Sequence, residues 1–236
     1  MRVKLILSYN GTHFLGSQIQ RETKNTILGN IEQALQQLGI KERIIASGRT
    51  DKGVHATAQV CHLDLPSFWR DLNKLKHTIN KMIPSSIMVT NITSVSSTFH
   101  ARYSAKKRVY RYIIKEGIPN PFQSDYVTFL QSVDKESIKS KIKLFEGVHD
   151  FSEFMRKGSD TNSSVREIYK AFAYEYKGYF ILNFQANGFL RSQIRLMVGA
   201  LLSLDEEIIN KKLNAKHSHP LRPAPANGLY LARVNY

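Results

Sequence analysis

The apolar residues of this chain repeat with two periods, and the period switches several times along its 236 residues. Val3, Leu5, Leu7 and Tyr9 occupy alternate positions, the spacing of a strand buried on one face. Ile27, Leu28, Ile31, Leu35 and Leu38 then follow helical spacing, behind Thr26 as an N-cap and ahead of Gly39 as a stop. A strand is predicted over 58–65. Pro66 or Ser67 is expected to open a helix carrying Phe68, Leu72, Leu75, Ile79 and Met82, and Pro84 to end it before a strand at 87–95.

The second half reads similarly. A strand is expected over 107–115, and Asp134 should cap a helix carrying Ile138, Ile142 and Phe145. Segments 166–176 and 180–187 read as a hairpin across Lys177-Gly178-Tyr179. Helices over about 190–204 and 206–213 and a strand at 229–234 complete the chain. Strands and helices in mixed order predict an α+β fold with antiparallel sheets covered by helices on one face. The join falls near 98–105, giving halves of 1–100 and 101–236. If the two sheets met they would leave a central cleft, where sites form.

Lys and Arg total 34 against 19 Asp and Glu, a net charge of +15. Such an excess favours polyanions, because each neutralised phosphate releases counterions. The cations are spread along the chain rather than gathered in a basic amphipathic helix, so nucleic acid is expected ahead of a membrane surface. The single cysteine, Cys61, excludes intrachain disulfides and multi-thiolate metal centres. The apolar N-terminus turns polar at Ser8, too early for a signal peptide, and no apolar run reaches the roughly 20 residues that span a bilayer. A cytoplasmic protein is expected.

Three stretches could carry chemistry. In Gly48-Arg49-Thr50-Asp51-Lys52-Gly53-Val54-His55-Ala56 a carboxylate stands between two glycines that permit tight turning. Arg49 and Lys52 beside it favour the ionised form, which suits a nucleophile or base. The same pattern also describes a polar turn in which Asp51 accepts backbone N–H bonds. The second stretch, residues 99–112, interleaves Phe99, Tyr103, Tyr110 and Tyr112 with Arg102, Lys106, Lys107, Arg108 and Arg111. It reads equally as a surface for single-stranded RNA or as a half-buried strand with tyrosines inside and arginines in solvent. The third, residues 187–199, opens a helix that would set Arg191 and Arg195 on one face, with Ile194, Met197, Val198 and Leu201 buried. An arginine there could form a bidentate pair with a carboxylate. The eight histidines, including His217 and His219, form no metal-ligand pattern.

Residues 48–56, continued by Gln59-Val60, resemble the signature loop of the TruA family of tRNA pseudouridine synthases. The stretch Tyr9-Asn10-Gly11-Thr12-His13-Phe14-Leu15-Gly16-Ser17-Gln18-Ile19-Gln20 is similar to that family's N-terminal motif. Residues 99–112, Gly147-Val148-His149-Asp150-Phe151, residues 187–199 and Ala224-Pro225-Ala226-Asn227-Gly228-Leu229-Tyr230-Leu231 continue the resemblance in the family's order.

The resemblance implies the pseudouridine synthase fold: two similar mixed α/β halves whose antiparallel sheets join around a central basic cleft, in a homodimer. It implies isomerisation of uridine to pseudouridine at positions 38, 39 and 40 of the tRNA anticodon stem-loop, with no metal or organic cofactor. Asp51 falls on the catalytic aspartate, Arg195 on the arginine that pairs with it, and Tyr110 on the tyrosine that stacks against the target base. Arg49, Lys52, His55, Arg102 and Arg108 fall in the motifs expected to bind substrate. The carboxylate could attack C1′, attack C6 or remove a sugar proton.

This sequence departs from the family at Ser17, where tryptophan is usual, and at Arg191-Ser192-Gln193, where histidine and methionine are common. The segment between Leu204 and Ala224 is short. Two rival functions share the basic charge. A non-catalytic RNA binder gains nothing from an anion that repels phosphates. A metal-dependent nuclease wants clustered carboxylates, and the acidic residues here are dispersed.

Overall fold

The computed structural model describes residues 1–156, 158, 161–214 and 220–236; His217 and His219 lie outside them. The chain packs as two compact units, Met1–Lys106 with Tyr230–Tyr236, and Lys107–Leu229. The first unit takes β1 (Arg2–Tyr9), α1 (Ile27–Gln37), β2 (Ile45–Ala46), β3 (His55–Asp64), α2 (Leu72–Met82) and β4 (Ile87–Ser94). The second holds β5 (Lys107–Glu116), β6 (Thr128–Leu130), α3 (Lys135–Lys141), β7 (Gly147–Asp150), β8 (Val165–Tyr176), β9 (Tyr179–Ala186), α4 (Gln193–Ser203) and α5 (Glu206–Leu213). The last strand, β10 (Leu229–Asn235), rejoins the first unit from Tyr230. No helix among the described residues is long and apolar enough to cross a membrane.

In the first unit the strand order is β4-β1-β3-β10, with β2 against β3. β1 runs antiparallel to both neighbours, and Leu5 faces Cys61 on one side and Ile92 on the other. β10 joins β3 in parallel through Tyr230 opposite His55 and Leu231 opposite Ala56. The alternation read from sequence is the burial pattern found: Val3, Leu5, Leu7 and Tyr9 are inside. Helix α1 adds Ile27, Leu28, Ile31, Ala34 and Leu35 to the core, and α2 adds Leu75 and Ile79. Thr26 caps α1 by accepting the Gly29 N–H.

The helix expected from Pro66 or Ser67 begins later, at Leu72. Asp71 takes the cap by accepting the Lys74 N–H at 2.9 Å, while a turn from Pro66 to Trp69 holds the preceding residues outside the helix. Phe68 is left 64 % exposed.

The second unit orders its strands β5-β9-β8-β7, antiparallel throughout, with β6 added in parallel to β5. Lys177 and Gly178 both take positive φ, 49° and 79°, in the turn of the β8–β9 hairpin. Asp134 caps α3 as expected. Helix α4 starts at Gln193 rather than near 190, because Ser192 sits at φ 60° and the Gln193 side chain accepts the Leu190 N–H at 2.7 Å. Arg191 therefore precedes the helix and shares no helical face with Arg195.

Candidate active site

Residues 47–54 link β2 to β3, and buried polar groups hold this loop from several sides. The Ser47 hydroxyl donates to Gln59 Oε1 at 2.6 Å, and Gln59 Nε2 donates to the Gly48 carbonyl at 2.9 Å. Thr50 is gripped by the N-terminal motif. Its N–H donates to Ser17 Oγ at 2.8 Å, its carbonyl accepts the Ser17 N–H at 3.1 Å, and its hydroxyl pairs with the Tyr9 hydroxyl at 2.9 Å. Gly16, at φ 103°, lets its chain pass so close that a Cβ would lie 3.0 Å from the Thr50 carbonyl oxygen.

The loop then turns at Asp51, whose carbonyl accepts the Val54 N–H at 3.1 Å. Gly53 takes φ 79°, which an L side chain resists. His55 follows at the start of β3. Its Nδ1 accepts the Gly11 N–H at 3.0 Å, which leaves the ring proton on Nε2, and its ring stacks on Tyr230 at 4.6 Å. With the side chain 1 % exposed, His55 braces the loop from below.

Between these anchors Asp51 is half-buried, and Arg49 and Lys52 are exposed. The sequence motif is thus a rigid loop presenting one carboxylate flanked by two cations. Such a group needs little reorganisation to act on a bound ligand.

The second unit gathers three other motifs. On β5, Tyr110 is 8 % exposed, with its ring edge-on to Phe189 at 5.3 Å, and Arg108 donates to the Asn187 carbonyl at 2.7 Å. Tyr112 lies wholly in the core. Its hydroxyl pairs with Thr128 Oγ1 at 2.7 Å and donates to the Pro225 carbonyl at 2.9 Å. Burial pushes the Tyr112 hydroxyl pKa up, against the opposing pull of the Thr128 hydrogen bond and the charge of Arg195. Of the two readings of this stretch, Tyr112 follows the buried-strand one, with Arg111 exposed beside it.

Arg195, on α4, is half-buried and tied at both ends of its residue. Its Nε donates to the Ala224 carbonyl at 2.7 Å, and its own carbonyl accepts the Ala224 N–H at 2.8 Å. Asn227 fixes the following turn by donating to the Ser124 and Val127 carbonyls at 2.6 and 3.0 Å. The closing motif is therefore a clip that sets the direction of the Arg195 side chain. Arg102 is exposed on the turn that precedes β5.

Sequence reasoning missed Tyr9, Ser17, Ser47 and Gln59 as supports of the Asp51 loop. Ser17 and Gln59 lay inside recognisable motifs, but only burial distinguishes a brace from a surface contact. Both are 1 % exposed or less.

Comparison with known proteins identifies the family. A family model described as tRNA pseudouridine synthase matches residues 5–104 and 142–236. A tRNA pseudouridine synthase A of Wolinella succinogenes is 37% identical over 235 residues, covering 98% of this chain and 92% of that one. One from Helicobacter hepaticus is 36% identical across 99% of this chain and 98% of its own length. One from Campylobacter jejuni strain RM1221 is 36% identical over the whole of both chains. The chain belongs to the TruA family of tRNA pseudouridine synthases, isomerases that convert uridine in tRNA to pseudouridine.

Proposed function

We propose that the protein isomerises uridines 38, 39 and 40 of the tRNA anticodon stem-loop, with Asp51 as the nucleophilic carboxylate. The observation that carries this reading is the Asp51 loop, held by hydrogen bonds to the buried Ser17, Tyr9 and Gln59, with Asp51 flanked in sequence by two exposed cations. In this reading Arg195 is the cation that pairs with Asp51. The reading further includes a cytoplasmic homodimer.

The reaction breaks the C1′–N1 bond, turns the uracil and joins C5 to C1′. N1 gains a proton and C5 loses one to water. Every other atom is conserved and no electrons change hands, so the reading includes no cofactor. The uridine must leave its stack first, at a cost of a few kcal/mol. Tyr110 offsets part of that cost by stacking on the base, and Arg49, Lys52 and Arg108 hold neighbouring phosphates.

Tritium release from tRNA labelled at C5 of uridine tests the reading. Wild type should release label and Asp51→Asn should not, while the variant binds tRNA as well or better, having lost a negative charge. Substantial release by Asp51→Asn would remove Asp51 from its role. No release by either, with tight binding by both, would favour a non-catalytic RNA binder. Transcripts in which U38, U39 and U40 are replaced by cytidine one at a time assign the positions.

A further inference from the structure

The turn between β4 and β5 covers the end of β3 far from Asp51, and it is built around a column of rings. His62 on β3 is 3 % exposed, and its Nδ1 accepts the Ala101 N–H at 3.1 Å. Its ring lies 4.7 Å from that of His100, and His100 stacks on Tyr103 at 4.3 Å with 28° between the planes. His100 cannot swing away easily. Its Nδ1 accepts the N–H groups of Arg102 and Tyr103, each at 3.2 Å, and its own N–H donates to Ser104 Oγ. Tyr236 anchors the turn by donating to the Ala101 carbonyl at 2.8 Å and by packing its ring 4.8 Å from Phe99.

The column ends in solvent. Tyr103 is 78 % exposed, with the Arg102 guanidinium 5.7 Å from its ring centre. A single exposed aromatic needs no explanation. One fixed at the end of a buttressed ring stack beside a guanidinium has the composition and rigidity of a surface on which an unpaired base stacks.

We propose that Tyr103, backed by His100, is a stacking platform for an unpaired tRNA base, with Arg102 on the adjoining phosphate. The proposal rests on tRNA being the substrate, and it concerns a base other than the one isomerised. His55, next to the Asp51 loop, and His62, beneath the platform, stand at opposite ends of β3. Seven residues at about 3.3 Å each separate them by roughly 23 Å. The platform therefore acts on binding and register, not on chemistry.

The test is equilibrium binding of tRNA to wild type, Tyr103→Ala, Tyr103→Phe, Tyr103→Leu and Arg102→Ala across a salt series, with a thermal melt of each. Tyr103→Ala should weaken binding about five- to hundredfold, and tritium release should place the loss in KM. Tyr103→Phe should keep wild-type affinity, because it keeps the ring. Tyr103→Leu, which keeps bulk without a flat face, should bind as weakly as alanine and separates a lost platform from a damaged turn. The log–log salt slope should be unchanged for Tyr103→Ala and lower by about one for Arg102→Ala.

Wild-type affinity in Tyr103→Ala or Tyr103→Leu would overturn the platform, as would equal weakening by Tyr103→Phe. Ring-dependent binding without tritium release by wild type would sink the synthase reading and leave the platform standing.

Discussion

Ser17 Oγ accepts the Thr50 N–H at 2.8 Å in a site where the serine is 1 % exposed. Thr50 directly precedes Asp51, so a residue from the N-terminal motif fixes the backbone on which the carboxylate stands. Serine at this position is a structural brace.

Ser17→Ala leaves the buried Thr50 N–H without its acceptor, at a cost of about 1–3 kcal/mol. Urea unfolding should show that loss. Tritium release should show kcat lower by about ten- to hundredfold, because a small displacement of a positioned group is expensive, while tRNA affinity holds. A variant with wild-type kcat would mean that the remaining Tyr9 and Gln59 contacts hold the loop alone.

Arg195 carries a fork whose Nε is committed to the Ala224 carbonyl, leaving the terminal nitrogens aimed by that bond. Arg195→Ala should lower kcat about 10²–10³-fold, the scale for removing a preorganised charge. Arg195→Lys should recover only part of it, since an ammonium bonded to Ala224 cannot also offer the two parallel donors of a planar guanidinium. Full activity in Arg195→Lys would show that charge alone is needed.

His62 gives the first unit an acid-sensitive point. Its pKa is lowered, mainly by burial and then by the charges of His100 and Arg2, against the opposing effects of Asp64 and a backbone bond to Ile45. The unfolded chain takes up this proton near pH 6.5, where the folded protein refuses it. Stability should thus be level above pH 6.5 and fall as pH drops below it, by up to about 1.4 kcal/mol per pH unit for one proton. His62→Asn, which can accept the Ala101 N–H without titrating, should flatten that limb in urea titrations at pH 5 to 8. An equally steep limb in the variant would assign the effect to another group.

Much of the fold was legible from periodicity. β1, α1, α5 and the β8–β9 hairpin lie where their patterns place them, because strand alternation, helical spacing and capping act within a few residues; α3 starts at its expected cap but ends at Lys141, and Ile142–Phe145 tighten into a 3-10 turn. The start of α2 was misread because Pro66 and Ser67 are good openers in isolation, whereas Asp71 makes the cap bond actually formed. β2, β6 and β7 span two to four residues and show too few alternations to register.

The sequence by itself determined the order of the longer strands and helices, the family, and the loop in which Asp51 stands, since each is written in residues close together along the chain. Only the tertiary structure decided that Ser17 bonds to Thr50, that Tyr230 in the last strand pairs beside His55, and that His100 packs against His62 while stacking on Tyr103. Burial makes those bonds strong by excluding competing water, and burial depends on how distant segments pack, which no local pattern records.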